Sequence, residues 1–135
     1  MSNSKKILLV EDDKVDVMTV RRAFGQLELN RELMVASDGR EAMDYLRGEE
    51  DLPWLILLDL NMPRMNGIEF LQERAQWPEL GYVPVVVLTT SGEERDRMES
   101  YNFQIAGYVI KPLNYEKFKG VVRTTDAYWE LNVFP

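Results

Sequence analysis

The sequence predicts a doubly wound α/β domain built on a five-stranded parallel sheet, and two observations predict it. Five short apolar runs alternate with five amphipathic stretches along the chain. The runs are continuously apolar rather than alternating, the pattern of strands covered on both faces. Strand followed by helix, five times over, is the order of an open parallel sheet with helices on both sides.

The first run is Ile7-Leu8-Leu9-Val10, and the helix after it carries Val17, Val20, Phe24 and Leu27 on one face. The second is Leu33-Met34-Val35-Ala36, before a helix with Ala42, Met43 and Leu46 inward. The third, Trp54-Leu55-Ile56-Leu57-Leu58, precedes a helix with Ile68, Phe70, Leu71 and Ala75. After the fourth, Val85-Val86-Val87-Leu88, the segment Ser91-Gly92-Glu93-Glu94 has the form of a capping box that would open the fourth helix. The fifth is Tyr108-Val109-Ile110; Asn114 is placed to cap a last helix bearing Phe118, Val121, Val122 and Tyr128. No repeat or linker interrupts the 135 residues. They read as one domain, 1–135, with a core over about 5–124 and an aromatic extension of the last helix over 125–135.

Composition narrows the chemistry. A net charge of -7 repels nucleic-acid phosphates and anionic membranes, so neither is an expected partner. No apolar run approaches the roughly 18 residues of a membrane span, and the polar N-terminus has no signal-peptide core, so a cytoplasmic location is expected. The chain has no cysteine and no histidine. Disulfides, Ser-His-Asp or Cys-His nucleophile systems and conventional zinc sites are therefore out of reach. What remains is carboxylate, hydroxyl, lysine and hard-cation chemistry.

In a doubly wound sheet, function collects at the C-terminal ends of the strands. Here the first strand ends in Glu11-Asp12-Asp13, the third in Asp59 followed by Leu60-Asn61-Met62-Pro63, the fourth in Thr89-Thr90-Ser91 and the fifth in Lys111-Pro112. Singly, each has an ordinary reading. The acidic triplet can cap a helix, Asp59 can sit in a turn, threonines commonly end strands and lysines are commonly solvated. Together, Glu11, Asp12 and Asp59 would crowd one edge, raising one another's pKa unless a cation relieves them. Oxygen donors of this kind suit Mg²⁺. A carboxylate beside Mg²⁺ can attack phosphorus to give an aspartyl phosphate, a reaction that needs mainly positioning and charge neutralisation. The Thr89 hydroxyl and the Lys111 ammonium are suited to provide both.

These motifs, Leu9-Val10-Glu11-Asp12-Asp13, Leu58 to Gly67, Val87-Leu88-Thr89-Thr90 and Gly107 to Pro112, resemble the receiver domains of bacterial response regulators over Ile7 to about Val122. The resemblance implies a CheY-like, flavodoxin-like fold and a stand-alone signalling switch rather than an enzyme. By resemblance, Asp59 is the phosphoacceptor. Glu11 and Asp12 hold Mg²⁺ with Asp59, and the Asn61 backbone carbonyl is a further ligand. Thr89, Thr90 and Lys111 meet the phosphoryl group, with Lys111-Pro112 expected to be cis. Thr89 and Tyr108 are the switch pair.

Two departures stand out. Glu11 is a methylene longer than the Asp often found there, and Thr90 stands where many relatives carry Ala or Gly. About two dozen residues follow Lys111, too few for an output domain, so the expected output is protein contact. The aromatic end, with Tyr128, Trp129 and Phe134, offers either core packing or an interaction surface. It is similar to the ending of single-domain receivers that serve phytochrome-type histidine kinases. The implied partners are a sensor histidine kinase and a second copy, met through the fourth helix, fifth strand and fifth helix. Two other classes compete: a pseudo-receiver that binds without phosphorylation, and an aspartate-based phosphatase. The complete site argues against the first, and Asn61, where a second acid would be needed, argues against the second.

Overall fold

The computed structural model describes residues 5–48 and 52–133. Five parallel strands form one sheet: β1 (Ile7–Val10), β2 (Leu33–Ala36), β3 (Leu55–Leu58), β4 (Val85–Thr89) and β5 (Gly107–Ile110). The helices are α1 (Lys14–Gln26), α2 (Gly39–Gly48), α3 (Gly67–Arg74), α4 (Glu94–Asn102) and α5 (Tyr115–Glu130), with a short 3-10 helix at Pro78–Tyr82. The spatial order is β2-β1-β3-β4-β5, so the order of winding reverses between β1 and β3. This is the doubly wound architecture that the alternating pattern predicts, with the strand order that the resemblance implies.

The continuous apolar runs have a simple cause. Successive strand residues point to opposite faces, and both faces are covered. Leu8, Val10, Ile56, Leu58, Val85 and Val87 face Met43, Leu46, Phe70 and Leu71 from α2 and α3. Ile7, Leu9, Leu55, Leu57, Val86 and Leu88 face Val20, Ala23, Phe24, Phe118 and Val122 from α1 and α5. The edge strands depart from this. Most of β2 and β5 is only half-buried, because each has a strand neighbour on one side only.

Local chemistry sets the helix starts. Asp13 caps α1 by accepting from the amides of Val15 and Asp16, and Asn114 caps α5 by accepting from Lys117. A capping box forms at Asn66 and Glu69, opening α3. The one expected at Ser91 does not: α4 begins at Glu94 after Glu93, with no side-chain cap. The Ser91 hydroxyl donates to the Asp96 carboxylate at 2.6 Å, a charge-assisted bond, and accepts at 3.4 Å only from the amide of Glu93, which precedes the helix. Along α3, the inward position after Leu71 is Arg74, which is buried, while Ala75 at the helix end is exposed.

Lys111-Pro112 also departs from the expected geometry. The described residues contain no cis peptide bond, and trans is the isomer an X–Pro bond favours by about 0.5–1 kcal/mol. No helix among the described residues is long and apolar enough to cross a membrane.

At the end of the sheet away from the strands' C-termini, Arg31 joins the chain's last helix to its first strands. Its guanidinium donates to both oxygens of Asp126, at 2.8 and 2.9 Å, also pairs with Glu130, and lies 4.7 Å from the centre of the Trp54 ring.

Candidate functional site

The site follows from strand register. Val10 of β1 pairs with Leu58 of β3, and the Asp59 amide donates to the Val10 carbonyl at 3.0 Å. The next residues, Glu11 and Asp59, therefore emerge side by side where the winding reverses. On the other flank Thr89 pairs with Ile110, and the Lys111 amide donates to the Thr89 carbonyl at 2.8 Å. Four adjacent strand ends thus deliver the residues that sequence alone singles out.

Glu11, Asp12 and Asp59 each offer a carboxylate oxygen within 4.8 Å of the others. Glu11 and Asp59 are 3% and 8% exposed, whereas Asp12 faces solvent. Burial pushes the Glu11 carboxyl up to about 7, against the pull of the Lys111 ammonium. Burial likewise pushes Asp59 above its ordinary range, opposed by Lys111 and by the Thr89 hydroxyl. Two buried acids that resist ionisation beside an exposed third fit a divalent cation with oxygen ligands. Its charge would offset both the desolvation and the repulsion. The Asn61 carbonyl accepts no hydrogen bond among the described residues, and Asn61 lines one hollow with Asp12. Both are placed to complete such a shell.

Lys111 is drawn to the acids but not to Asp59 alone. Its Nζ lies 2.6 Å from Glu11 Oε1 and 3.0 Å from Asp16 Oδ2. Burial works against its charge, yet these contacts and Asp59 outweigh burial and hold the proton above the usual lysine range. Asp16, on the first turn of α1, escapes a reading from sequence, since nothing in its neighbours distinguishes it from a solvated acid.

Thr89 is fully buried, and its hydroxyl accepts from the Ser91 amide at 3.2 Å. Tyr108, half-buried on β5, donates its hydroxyl to the Ser91 carbonyl at 2.9 Å. One peptide segment therefore touches both residues of the expected switch pair. Thr90 is exposed and lines a groove with Lys111 and Pro112.

The loop after Asp59 is fixed by two devices. A Cβ at Gly67 would lie 2.6 Å from the Asp59 carbonyl oxygen and 2.7 Å from Leu60 Cα, so only glycine lets α3 start this close. Arg64, at φ 59°, reaches the buried Asp38 carboxylate that also caps α2. Neither Arg64 nor Asp38 carries a signal in the sequence, because the pair is formed by the fold.

The aromatic end divides. Trp129 packs against the core and meets Tyr128 edge-on at 4.9 Å between ring centres, while Tyr128 is exposed. Phe134 lies outside the described residues.

Comparison with known proteins agrees with this geometry. The family description of the response regulator receiver domain matches residues 7–123. A probable methanogenesis regulatory protein, FilR2 of Methanothrix harundinacea, is 39% identical over 127 residues, 91% of this chain and 82% of the relative. The response regulator Rcp1 of Synechocystis sp. is 38% identical over 130 residues, 93% of this chain and 88% of the relative. Among solved structures, the phosphorylated cyanobacterial phytochrome response regulator RcpA superposes with a TM-score of 0.90 at 38% identity, covering 98% of this chain and 99% of its own. The Mn²⁺-bound form of Rcp1 gives 0.86 at 38% identity, covering 97% and 99%.

Proposed function

The chain belongs to the response regulator receiver domain family, and on that premise we propose that it is a two-component switch phosphorylated on Asp59. The observation that carries this reading is the meeting of Glu11, Asp12 and Asp59 within 4.8 Å, with Thr89 and Lys111 on the next two strand ends. A sensor histidine kinase supplies the phosphoryl group. An Asp59 carboxylate oxygen bonds to phosphorus as the bond from phosphorus to the kinase imidazole nitrogen breaks. Asp59 must be ionised to attack, and Lys111 helps hold it so against burial.

Glu11, Asp12, Asp59 and the Asn61 carbonyl would hold Mg²⁺, which would supply charge neutralisation for the transferring group. Lys111 and the hydroxyls of Thr89 and Thr90 receive the phosphoryl oxygens. The similar proteins described as phytochrome response regulators support a kinase of phytochrome type. The protein acts in the cytoplasm through protein contact, without binding nucleic acid or membrane, as its charge of -7 favours.

Output follows from repacking. Thr89 turns toward the phosphoryl oxygen, Tyr108 turns inward, and the face of α4, β5 and α5 changes shape. That face already exposes Met98, Tyr101, Ile110, Tyr128 and Leu131, and a second copy docks there when Asp59 is phosphorylated.

Acetyl phosphate with Mg²⁺ tests the chemistry. Wild type should form one acid-stable, hydroxylamine-labile phosphoryl adduct, and Asp59→Asn should form none. Labelling of Asp59→Asn at the wild-type level would move the site elsewhere. An unlabelled wild type would leave a phosphorylation-independent binding module.

A further inference from the structure

Arg74 is the one arginine on the inner face of α3, and among the described residues no acid pairs with it. Its side chain is buried at 5% exposure. Nη2 donates to the Val83 carbonyl at 2.8 Å, and Nε is enclosed with no partner. Burial alone depresses its pKa, with no carboxylate acting on it. Other enclosed charges have an opposite charge beside them: Asp126 has Arg31, Asp38 has Arg64, and Glu11 has Lys111.

Arg74 lines a hollow of about 310 Å³ with Trp77, Pro78, Asn102, Phe103 and Gln104. That volume sits at the small end of the roughly 300–1,000 Å³ of ligand pockets. α3 runs back from the strands' C-termini, so the hollow lies at the end of the domain opposite Asp59. Several carbonyls of the nearby helix ends are already engaged by amides. Those of Leu71, Glu73, Arg74, Ser100 and Tyr101 are taken by the amides of Ala75, Gln76, Trp77, Phe103 and Gln104.

We propose that this hollow binds a small carboxylate with an apolar or aromatic body. With Nε enclosed and one bond of Nη2 committed, the end of the fork at Nη1 and Nη2 faces an incoming anion. A planar carboxylate matches that edge with two parallel hydrogen bonds. The amide side chains of Asn102 and Gln104 are exposed on the rim, where they can donate further. Trp77, Pro78 and Phe103 give the wall on which the ligand's body packs. An unpaired buried guanidinium costs stability, and an arriving anion recovers it, so binding and stabilisation are coupled.

The test titrates full-length protein with sodium benzoate, sodium acetate or sodium phosphate at matched ionic strength. It follows the Arg74 Nε–H and Trp77 indole N–H resonances together with thermal unfolding. Benzoate should shift both resonances saturably, and roughly tenfold more tightly than acetate, the factor that partial burial of an aryl ring supplies. Arg74→Leu should lose the response and be no less stable than unliganded wild type, while Asp59→Asn should keep the response. If Arg74→Leu fails to fold, the wild-type resonances decide. The absence of a saturable shift, equal shifts with all three anions, or a response surviving in Arg74→Leu would overturn the proposal.

Discussion

Lys111 Nζ sits 2.6 Å from Glu11 Oε1, so a residue expected to meet the phosphoryl group is engaged by a residue expected to hold the cation. The two halves of the site thus start in contact with each other. A cation that takes Glu11 competes with the ammonium for the same carboxylate and frees it to turn toward Asp59. Lys111→Ala should fold, because the acids lose a partner rather than gain a clash. It should also lose most of the response to beryllofluoride, read as the change in intrinsic fluorescence with and without Mg²⁺. A variant that responds as wild type would show that the ammonium is dispensable.

Asp16 is the second hold on Lys111, at 3.0 Å. Asp16→Asn removes that charge without touching any proposed ligand. The rate of labelling by acetyl phosphate should rise or stay level, in contrast to Asp12→Asn, where weakened Mg²⁺ binding should lower it. Calorimetric Mg²⁺ titration of both variants separates the two acids.

The raised pKa of Glu11 makes stability depend on pH in a defined direction. The unfolded chain releases this proton near 4.5, the folded protein near 7. Glu11 therefore favours folding fully below about 4.5. That contribution is lost as pH rises through about 7, because the unfolded state ionises first. Urea unfolding without Mg²⁺ should show stability falling across this interval. Saturating Mg²⁺ should flatten the fall, since the cation favours the ionised, folded form. The same slope with and without Mg²⁺ would separate the cation from these acids.

Gly67→Ala should cost about 1–3 kcal/mol of unfolding free energy, the usual range for an overpacked contact. The added Cβ would press on the Asp59 carbonyl at 2.6 Å, so labelling of Asp59 should slow as well. Gly25→Ala, where nothing lies within 4 Å, is the control that should do neither.

For assembly, light scattering with and without beryllofluoride should show more dimer in the activated state. Tyr128→Ala should weaken that gain while leaving the fold intact, because Tyr128 is exposed. Trp129→Ala removes core packing as well, so its effect should appear first in stability. A protein that stays monomeric in both states at high concentration would reject the face as a self-docking surface.

The sheet was legible because its evidence is local. Runs such as Leu55 to Leu58 and Val85 to Leu88 are apolar at every position, and the structure covers both of their faces. The strand-end residues were legible for a similar reason: each directly follows its run, so register carries them together once the strands pair. Helix ends were harder. Ser91 matches a capping pattern, but its hydroxyl accepts only from Glu93, ahead of the helix, and donates to Asp96. Arg74 stands where an inward residue belongs, and as a charged side chain it leaves no mark in the apolar periodicity. Ion pairs such as Asp38 with Arg64 and Arg31 with Asp126 join residues distant in sequence, and no periodicity announces them.

The peptide at Ser91 has one further consequence. Its amide is held by Thr89 and its carbonyl by Tyr108, so a shift of Ser91 disturbs a contact of each. Whatever free energy the phosphorylated state lends to a partner gripping Tyr108, that partner must return in equal measure to the phosphorylated state. On the proposed function, a target that grips Tyr108 would be more than a reader of the signal. By binding, it would shift the balance of the phosphotransfer reaction that summoned it, and the amount of target present would help set how much of the switch is on.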